Sequence, residues 1–183
     1  MLIAQQKQKE NIAEYILYMY QIEDVIRAYQ FDLNRILAEF VEPNLPDKSF
    51  LTQYKNWYER LISEMKSEKI LSVGHRIELQ EVFIELVYLH NSLLTIVNDE
   101  KYIQLYETAK PAIEDFIEHS NLKGKSHLEV CFQALYMKLL LRIQKKEISA
   151  ETEQAFDQIR IVIAYLSRAY QQMKTGEGAY WNN

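Results

Sequence analysis

Apolar residues recur along this chain at alternating steps of three and four, the spacing that gathers them on one face of an α-helix. The first series predicts a helix over roughly Ile3–Tyr29 and consists of Ile12, Tyr15, Met19, Ile22, Ile26 and Tyr29. Further series begin near residues 50, 75, 99, 126 and 150. Short connections separate them, and short connections favour antiparallel neighbouring helices.

Residues that start helices lie between these series. Asp32 is placed to cap a short second helix. Ser126 is followed three residues later by Glu129, which is the spacing of a capping box. Ser149 is placed to cap the last helix. Together with the apolar series, these signals predict six to seven helices.

The composition favours a protein built from helices alone. Four glycines and three prolines in 183 residues are too few turn-forming residues for a many-stranded barrel or sandwich. We expect an all-α fold, an up-and-down antiparallel bundle, with a short solenoid of α-hairpins as the alternative. A single helical domain is expected over residues 1–175, followed by an aromatic tail over residues 176–183. The last helix is expected at the centre of a core that includes Trp57, Phe83, Leu135, Ile159, Ile163 and Leu166.

Charge and cysteine content narrow the choice of partners and compartment. The formal net charge of −5 repels a phosphate backbone where no basic patch offsets it, and none is evident, so we expect no nucleic acid partner. Apolar runs such as Ile161–Leu166 are far shorter than a bilayer span, so we expect no membrane contact. Cys131 is the only cysteine, which excludes an intramolecular disulfide and fits a reducing cytoplasm.

The sequence contains no recognisable catalytic, cofactor or metal motif. The Glu-x-x-His pairs of di-metal helical bundles are missing, because no histidine follows an acidic residue by three positions. Four glycines form no phosphate-binding loop. Asp115 and His119 have the spacing to hold a metal ion from one helix face, but a histidine in the last turn of a helix is also favoured by the helix dipole. We therefore expect a protein that is not an enzyme and that binds neither cofactor nor metal.

His90 is the histidine that the apolar pattern places in the core, on the seam between Leu86 and Leu93. An unpaired imidazole there costs a few kcal/mol, so His90 requires a partner. One hypothesis is a core histidine bonded to a tyrosine or a backbone carbonyl. The other is a ligand or proton-transfer role in a cleft.

Glu23, Asp24 and Arg27 form a charged group beside the seam of the first helix. Glu23 and Arg27 have the four-residue spacing of a helical ion pair, so the sequence predicts that pair in contact with solvent. Such a pair is informative about function only if it is buried or faces a cleft.

The C-terminal end and the tyrosine content suggest contact surfaces. Tyr180 and Trp181 follow Gly176 and Gly178, which separate them from the last helix. Exposed aromatic side chains are costly in water, so we expect these two to dock on the same chain, on a second subunit or on a partner protein. Thirteen tyrosines also suit interfaces, because a tyrosine combines apolar area with a hydrogen-bonding hydroxyl.

The opening MLIAQQKQKENIAEYILYMYQIED and the ending GEGAYWNN resemble those of a family of bacterial proteins of about this length, described as a domain of unknown function. The resemblance extends over the whole chain. It implies a free-standing, all-helical bacterial protein, and it brings no activity, cofactor or catalytic residue with it.

These observations predict a non-enzymatic cytoplasmic module for protein interaction or regulation, with a protein partner or a second copy of the chain as its ligand. The alternative is a small-ligand-binding protein or an enzyme with a cleft near His90. A solid core around His90 favours the module, whereas a cavity lined by His90, tyrosines and an acidic residue favours the alternative.

Overall fold

The computed structural model describes residues 3–176, and in that part of the chain every regular element is helical. The all-α class and the helical bundle are therefore confirmed. The eight α-helices of the described residues are α1 (Ile3–Glu10), α2 (Ile12–Ala28), α3 (Leu33–Arg35), α4 (Leu51–Ser67), α5 (Ile77–Thr95), α6 (Glu100–His119), α7 (His127–Ile143) and α8 (Ala150–Thr175).

The described chain divides into two compact units. The first unit contains residues 3–9 and 14–83, and the second contains residues 10–13 and 84–176. The single helical domain over residues 1–175 stays a prediction.

In the first unit the core forms along the seam that the sequence predicts for α2. Tyr15, Met19, Ile22 and Ile26 are all buried, whereas Tyr29, at the end of the seam, is half-buried. Helix α4 adds a second apolar face, formed by Trp57, Tyr58, Leu61, Ile62 and Met65.

The connection between α3 and α4 contains a π-helix over Ile36–Val41, followed by a 3₁₀ turn over Glu42–Asn44. Ile36 and Val41 are buried, so the wider π-helical turn contributes to the core of the first unit. Pro43 lacks the N–H that a continuing helix requires, and Leu45 is extended.

In the second unit α8 packs against both α6 and α7. The connections 120–126 and 144–149 are short, so α6, α7 and α8 alternate in direction. Ile159, Ile163 and Leu166 are buried as expected, and Tyr170 reaches Glu85 of α5. Helix α8 is therefore the central helix of this unit.

The predicted first helix is interrupted at Asn11, so it consists of α1 and α2. Asn11 Oδ1 accepts hydrogen bonds from the Ala13 backbone N–H at 3.1 Å and from Ser167 Oγ at 2.7 Å. Asparagine at this position caps the start of α2. The apolar period continues through the interruption, which explains why the pattern alone predicts one helix.

The core prediction is wrong at one of its six residues. Trp57, Leu135, Ile159, Ile163 and Leu166 are buried, but Phe83 is only half-buried.

The predicted caps are present: Asp32, Ser126 and Ser149 each accept a hydrogen bond from the first turn that follows. No helix in residues 3–176 is long and apolar enough to cross a membrane.

Loss of the capping box of α7 provides a direct test of these helix boundaries. Ser126 Oγ accepts the Glu129 N–H at 3.3 Å, and Glu129 Oε2 accepts the Ser126 N–H at 2.9 Å. Ser126→Ala is expected to lower the free energy of unfolding by about 1 kcal/mol, measured by urea denaturation. Ser126→Asp retains a capping oxygen and should lose much less. Equal losses in the two variants would contradict the capping role.

Candidate functional site

A buried ionic cluster in the first unit is the most unusual polar feature of the described chain. We call it the Arg76 cluster, and it consists of Arg76, Glu23, Glu64, Glu78 and His75. Arg76 is 1% exposed and Glu23 is 0% exposed. Fully buried charges are rare in proteins, because each ion loses its hydration when it leaves water.

Arg76 is surrounded by three carboxylates. Its Nη1 donates to Glu64 Oε2 at 2.6 Å and to Glu78 Oε2 at 2.9 Å. Its Nε lies 3.3 Å from Glu23 Oε1. Burial alone lowers the pKa of Arg76, but its hydrogen bond to Glu64 and the charge of Glu78 outweigh burial, so the pKa lies above its ordinary value. The guanidinium therefore stays charged.

Glu23 joins α2 to the start of α5. Its Oε1 accepts the backbone N–H of Arg76 at 3.2 Å, and its Oε2 lies 2.7 Å from His75 Nδ1. The imidazole of His75 stacks on Tyr20, with 3.7 Å between ring centroids. Glu68 similarly accepts the Ile77 N–H at 2.8 Å. Two carboxylates thus occupy the N-terminus of α5, where the helix dipole favours negative charge.

The predicted ion pair between Glu23 and Arg27 is wrong. Glu23 points to His75 and Arg76, while Arg27 Nη1 pairs with Asp24 Oδ1 at 2.9 Å across three residues. Arg27 Nη2 donates to the carbonyl of Gly74 and, at 3.4 Å, to that of Ile70. Asp24 and two backbone carbonyls therefore contact Arg27, whereas His75 and Arg76 contact Glu23.

These contacts fix the connection between α4 and α5. Gly74 has φ +93°, and a Cβ there would lie 3.3 Å from Ile70 Cγ2. Glycine adopts such a conformation without the strain that other residues incur. The connection exposes Leu71 (53%) and Val73 (76%) to solvent, and the first residue of α5, Ile77, is also exposed (54%). We call these three residues the apolar triplet.

Removing the charge of Glu23 tests whether the Arg76 cluster stabilises the first unit. Glu23→Gln keeps the volume but leaves Arg76 and His75 without their buried carboxylate. We expect a loss of about 3 kcal/mol in the free energy of unfolding, measured by chemical denaturation. Glu39→Gln is the matched control, because Glu39 forms a half-exposed pair with Arg35 on one helical turn. Its unfolding midpoint should not change, and equal effects of the two variants would refute a special role for the buried pair.

His90 in the second unit has the tyrosine partner that the core hypothesis requires. His90 is 8% exposed, and its Nδ1 lies 2.6 Å from Tyr102 Oη. The rings of Tyr102 and Tyr106 contact it edge-on, with centroids at 5.7 and 5.1 Å. Burial, with a smaller contribution from His127, lowers the pKa of His90 to about 4. At neutral pH the imidazole is therefore uncharged.

Further polar groups extend this arrangement in the second unit. Tyr106 Oη lies 2.8 Å from His127 Nδ1, and Tyr165 donates to Asp99 Oδ2 at 2.8 Å. Asp99 also caps α6 through the Tyr102 N–H. Burial raises the pKa of the Cys131 thiol to about 12, so Cys131 stays protonated and is a poor nucleophile at neutral pH.

Metal-ligating side chains do not converge within residues 3–176, where no group of three or more His, Cys, Asp or Glu residues is placed to hold an ion. Asp115 Oδ1 and His119 Nδ1 lie 3.2 Å apart on an exposed helix face. A hydrogen bond to the Asp115 carbonyl and the Asp115 charge raise the pKa of His119. Tyr180 and Trp181 lie outside the described residues.

The opposite environments of His90 and His119 predict different titrations. The folded-state pKa of His90 lies below the unfolded value, so its contribution to stability is complete above about pH 6.5 and is lost as the pH falls towards 4. That contribution amounts to about 3 kcal/mol. Ring-proton NMR should show His90 titrating near 4 and His119 above 6.5, and His90→Phe should flatten the acid limb of stability. Titration of both rings above 6 would disprove the buried pair.

Comparison with known proteins identifies the family to which the chain belongs. The family described as a domain of unknown function, DUF4924, matches residues 1–177, and the chain belongs to it. No curated protein and no solved structure matches the chain.

Proposed function

We propose that this member of the family is a non-enzymatic module that binds a protein partner through the apolar triplet. The observation that carries the proposal is the combination of exposed apolar side chains with a fixed backbone. Leu71 and Val73 lie on the connection between α4 and α5, and Ile77 is the first residue of α5. Arg27, Glu23 and Glu68 hold the backbone of residues 70–77 through hydrogen bonds. A preorganised apolar surface binds at a lower entropic cost than a mobile one.

The charges around the apolar triplet favour a partner with a basic rim. Glu68 contacts the backbone of Ile77, Glu78 follows Ile77 in sequence, and Asp24 holds the arginine that binds the connection. Both Glu78 and Asp24 are about half exposed. Arg27 and Arg76 pair with these two carboxylates but are themselves largely buried, so the carboxylates are the exposed members of both pairs. A partner with an apolar centre and lysines or arginines around it complements this surface.

The same charge pattern disfavours a second copy of the chain as the partner. Two identical acidic rims would face each other in a symmetric dimer, and like charges at a close interface are repulsive. We therefore propose a different protein as the partner, and the cross-linking experiment described below distinguishes it from a second copy of the chain.

The environment of His90 supports the choice of an interaction module over a ligand cleft at that position. Its ring is packed between two tyrosine rings, and its Nδ1 is bonded to one of them. The compartment we propose is the bacterial cytoplasm. A lone, buried cysteine with a protonated thiol is well suited to a reducing compartment.

Site-specific photo-crosslinking in living cells tests the proposed surface. A benzophenone amino acid is placed at position 73 and, as the matched control, at position 96. Val73 and Ile96 are equally exposed, at 76% and 75%, but Ile96 belongs to the second unit. We expect position 73 to cross-link to one defined protein through a peptide rich in lysine or arginine. Position 96 should give no such product.

A second substitution tests whether the cross-linked product depends on the apolar triplet. Leu71→Asp should abolish the cross-link from position 73 without changing the thermal midpoint, because Leu71 is exposed and its loss opens no cavity. Failure to form any product from position 73, or the same product from position 96, would overturn the proposal. A product between two copies of the chain would replace the partner with self-association.

A further inference from the structure

A cavity of about 160 Å³ lies in the first unit, between α2, the π-helix and α4. Its apolar wall includes Ile22, Phe40, Val41 and Leu45. Phe40 and Val41 end the π-helix, and π-helical turns occur frequently at functional sites in proteins. The cavity matches in size an engineered cavity of about 150 Å³ that binds benzene.

The polar side chains that line this cavity are all uncharged. Tyr18, Tyr54 and Tyr58 line it, and Gln21 and Asn44 add carboxamides. None of its described lining residues carries an acidic, basic or imidazole side chain. Every polar group on the wall is therefore a neutral donor or acceptor.

The aromatic packing holds the three tyrosines in place. Trp57 stacks with Tyr18 at 6.5 Å between centroids and meets Tyr54 and Tyr58 edge-on at 6.2 and 5.0 Å. Burial raises the pKa of Tyr58, and the neighbouring Tyr18 and Tyr54 raise it further. Asn44 is held at the wall because its Nδ2 donates to the Phe40 carbonyl at 2.7 Å.

Within residues 3–176 none of these three tyrosine hydroxyls forms a hydrogen bond to another side chain or to the backbone, and each of them is accessible to solvent. A hydroxyl on a cavity wall that bonds only to solvent can exchange that solvent for the polar group of a ligand. Three hydroxyls of this kind at one small cavity are donors and acceptors that a bound molecule can satisfy.

We propose that this cavity binds a small uncharged molecule, the size of a single aromatic ring, that carries a hydroxyl or carbonyl group. The ring would pack on Ile22, Val41 and Leu45, and its polar group would bond to the tyrosine hydroxyls. A charged ligand is disfavoured, because the wall offers no counter-charge for an ion that loses its hydration. This site is separate from the apolar triplet and does not rest on the protein-binding proposal.

Methyl-detected NMR titration of the full chain tests the site with three probes of one ring size: phenol, toluene and benzoate. Phenol should shift the methyl signals of Ile22, Val41 and Leu45 along a saturable curve. Toluene, which lacks the hydroxyl, should bind about fivefold more weakly, as expected for one lost hydrogen bond. Benzoate should bind at least about tenfold more weakly than phenol.

Two variants locate the site. Leu45→Trp places a large side chain at the half-buried edge of the cavity and should remove phenol binding, whereas Leu71→Trp, on the exposed connection, should retain it. Tyr18→Phe keeps the ring and should bring the affinities for phenol and toluene together. Tyr18→Phe preserves the volume of the site, so it tests whether the hydroxyl contacts the ligand even if Leu45→Trp does not fold.

Three results would overturn the inference. The first is the lack of saturable shifts with phenol. The second is equal binding of phenol and benzoate. The third is an unchanged preference for phenol over toluene in Tyr18→Phe, which would show that the hydroxyls do not contact the ligand.

Discussion

The buried charge of Arg76 is the constraint on which the architecture of the first unit depends. A guanidinium without access to water requires carboxylates around it, and α2, α4 and α5 each supply one, as Glu23, Glu64 and Glu78. Three helices that share one ion cannot slide past each other without breaking a buried pair. The backbone of the connection between α4 and α5 is fixed as well, because Glu23 also accepts the Arg76 N–H and Arg27 donates to the carbonyl of Gly74. An exposed apolar surface on such a connection is held in one conformation.

The elements were predictable from sequence wherever a local signal specified them. The three-and-four apolar spacing located the core of α2, and the Ser126 and Glu129 pair located the start of α7. His90 was predicted to need a partner, and Tyr102 provides it from the next helix. The break at Asn11 was missed, because the apolar series continues through it, although asparagine is itself a local capping residue.

The charged cluster could not be predicted, because its partners are distant in sequence. Glu23 and Arg27 have the ideal spacing for a local pair, yet Glu23 bonds residues 52 and 53 positions further on. No local feature of Arg76 distinguishes it from a surface arginine. The tyrosine-lined cavity was missed for the same reason, since Tyr18 of α2 reaches the aromatic residues of α4 only when it stacks with Trp57 in the folded protein.

Native-state hydrogen exchange of the Arg76 backbone amide tests the central claim most directly. That N–H donates to buried Glu23, so its exchange requires the cluster to open. The account predicts that it exchanges as slowly as the core amides of α2, while the neighbouring amide of exposed Val73 exchanges quickly. Equal and rapid exchange of the Arg76 and Val73 amides would show that the connection moves freely, and would contradict the claim that a buried charge holds it in place.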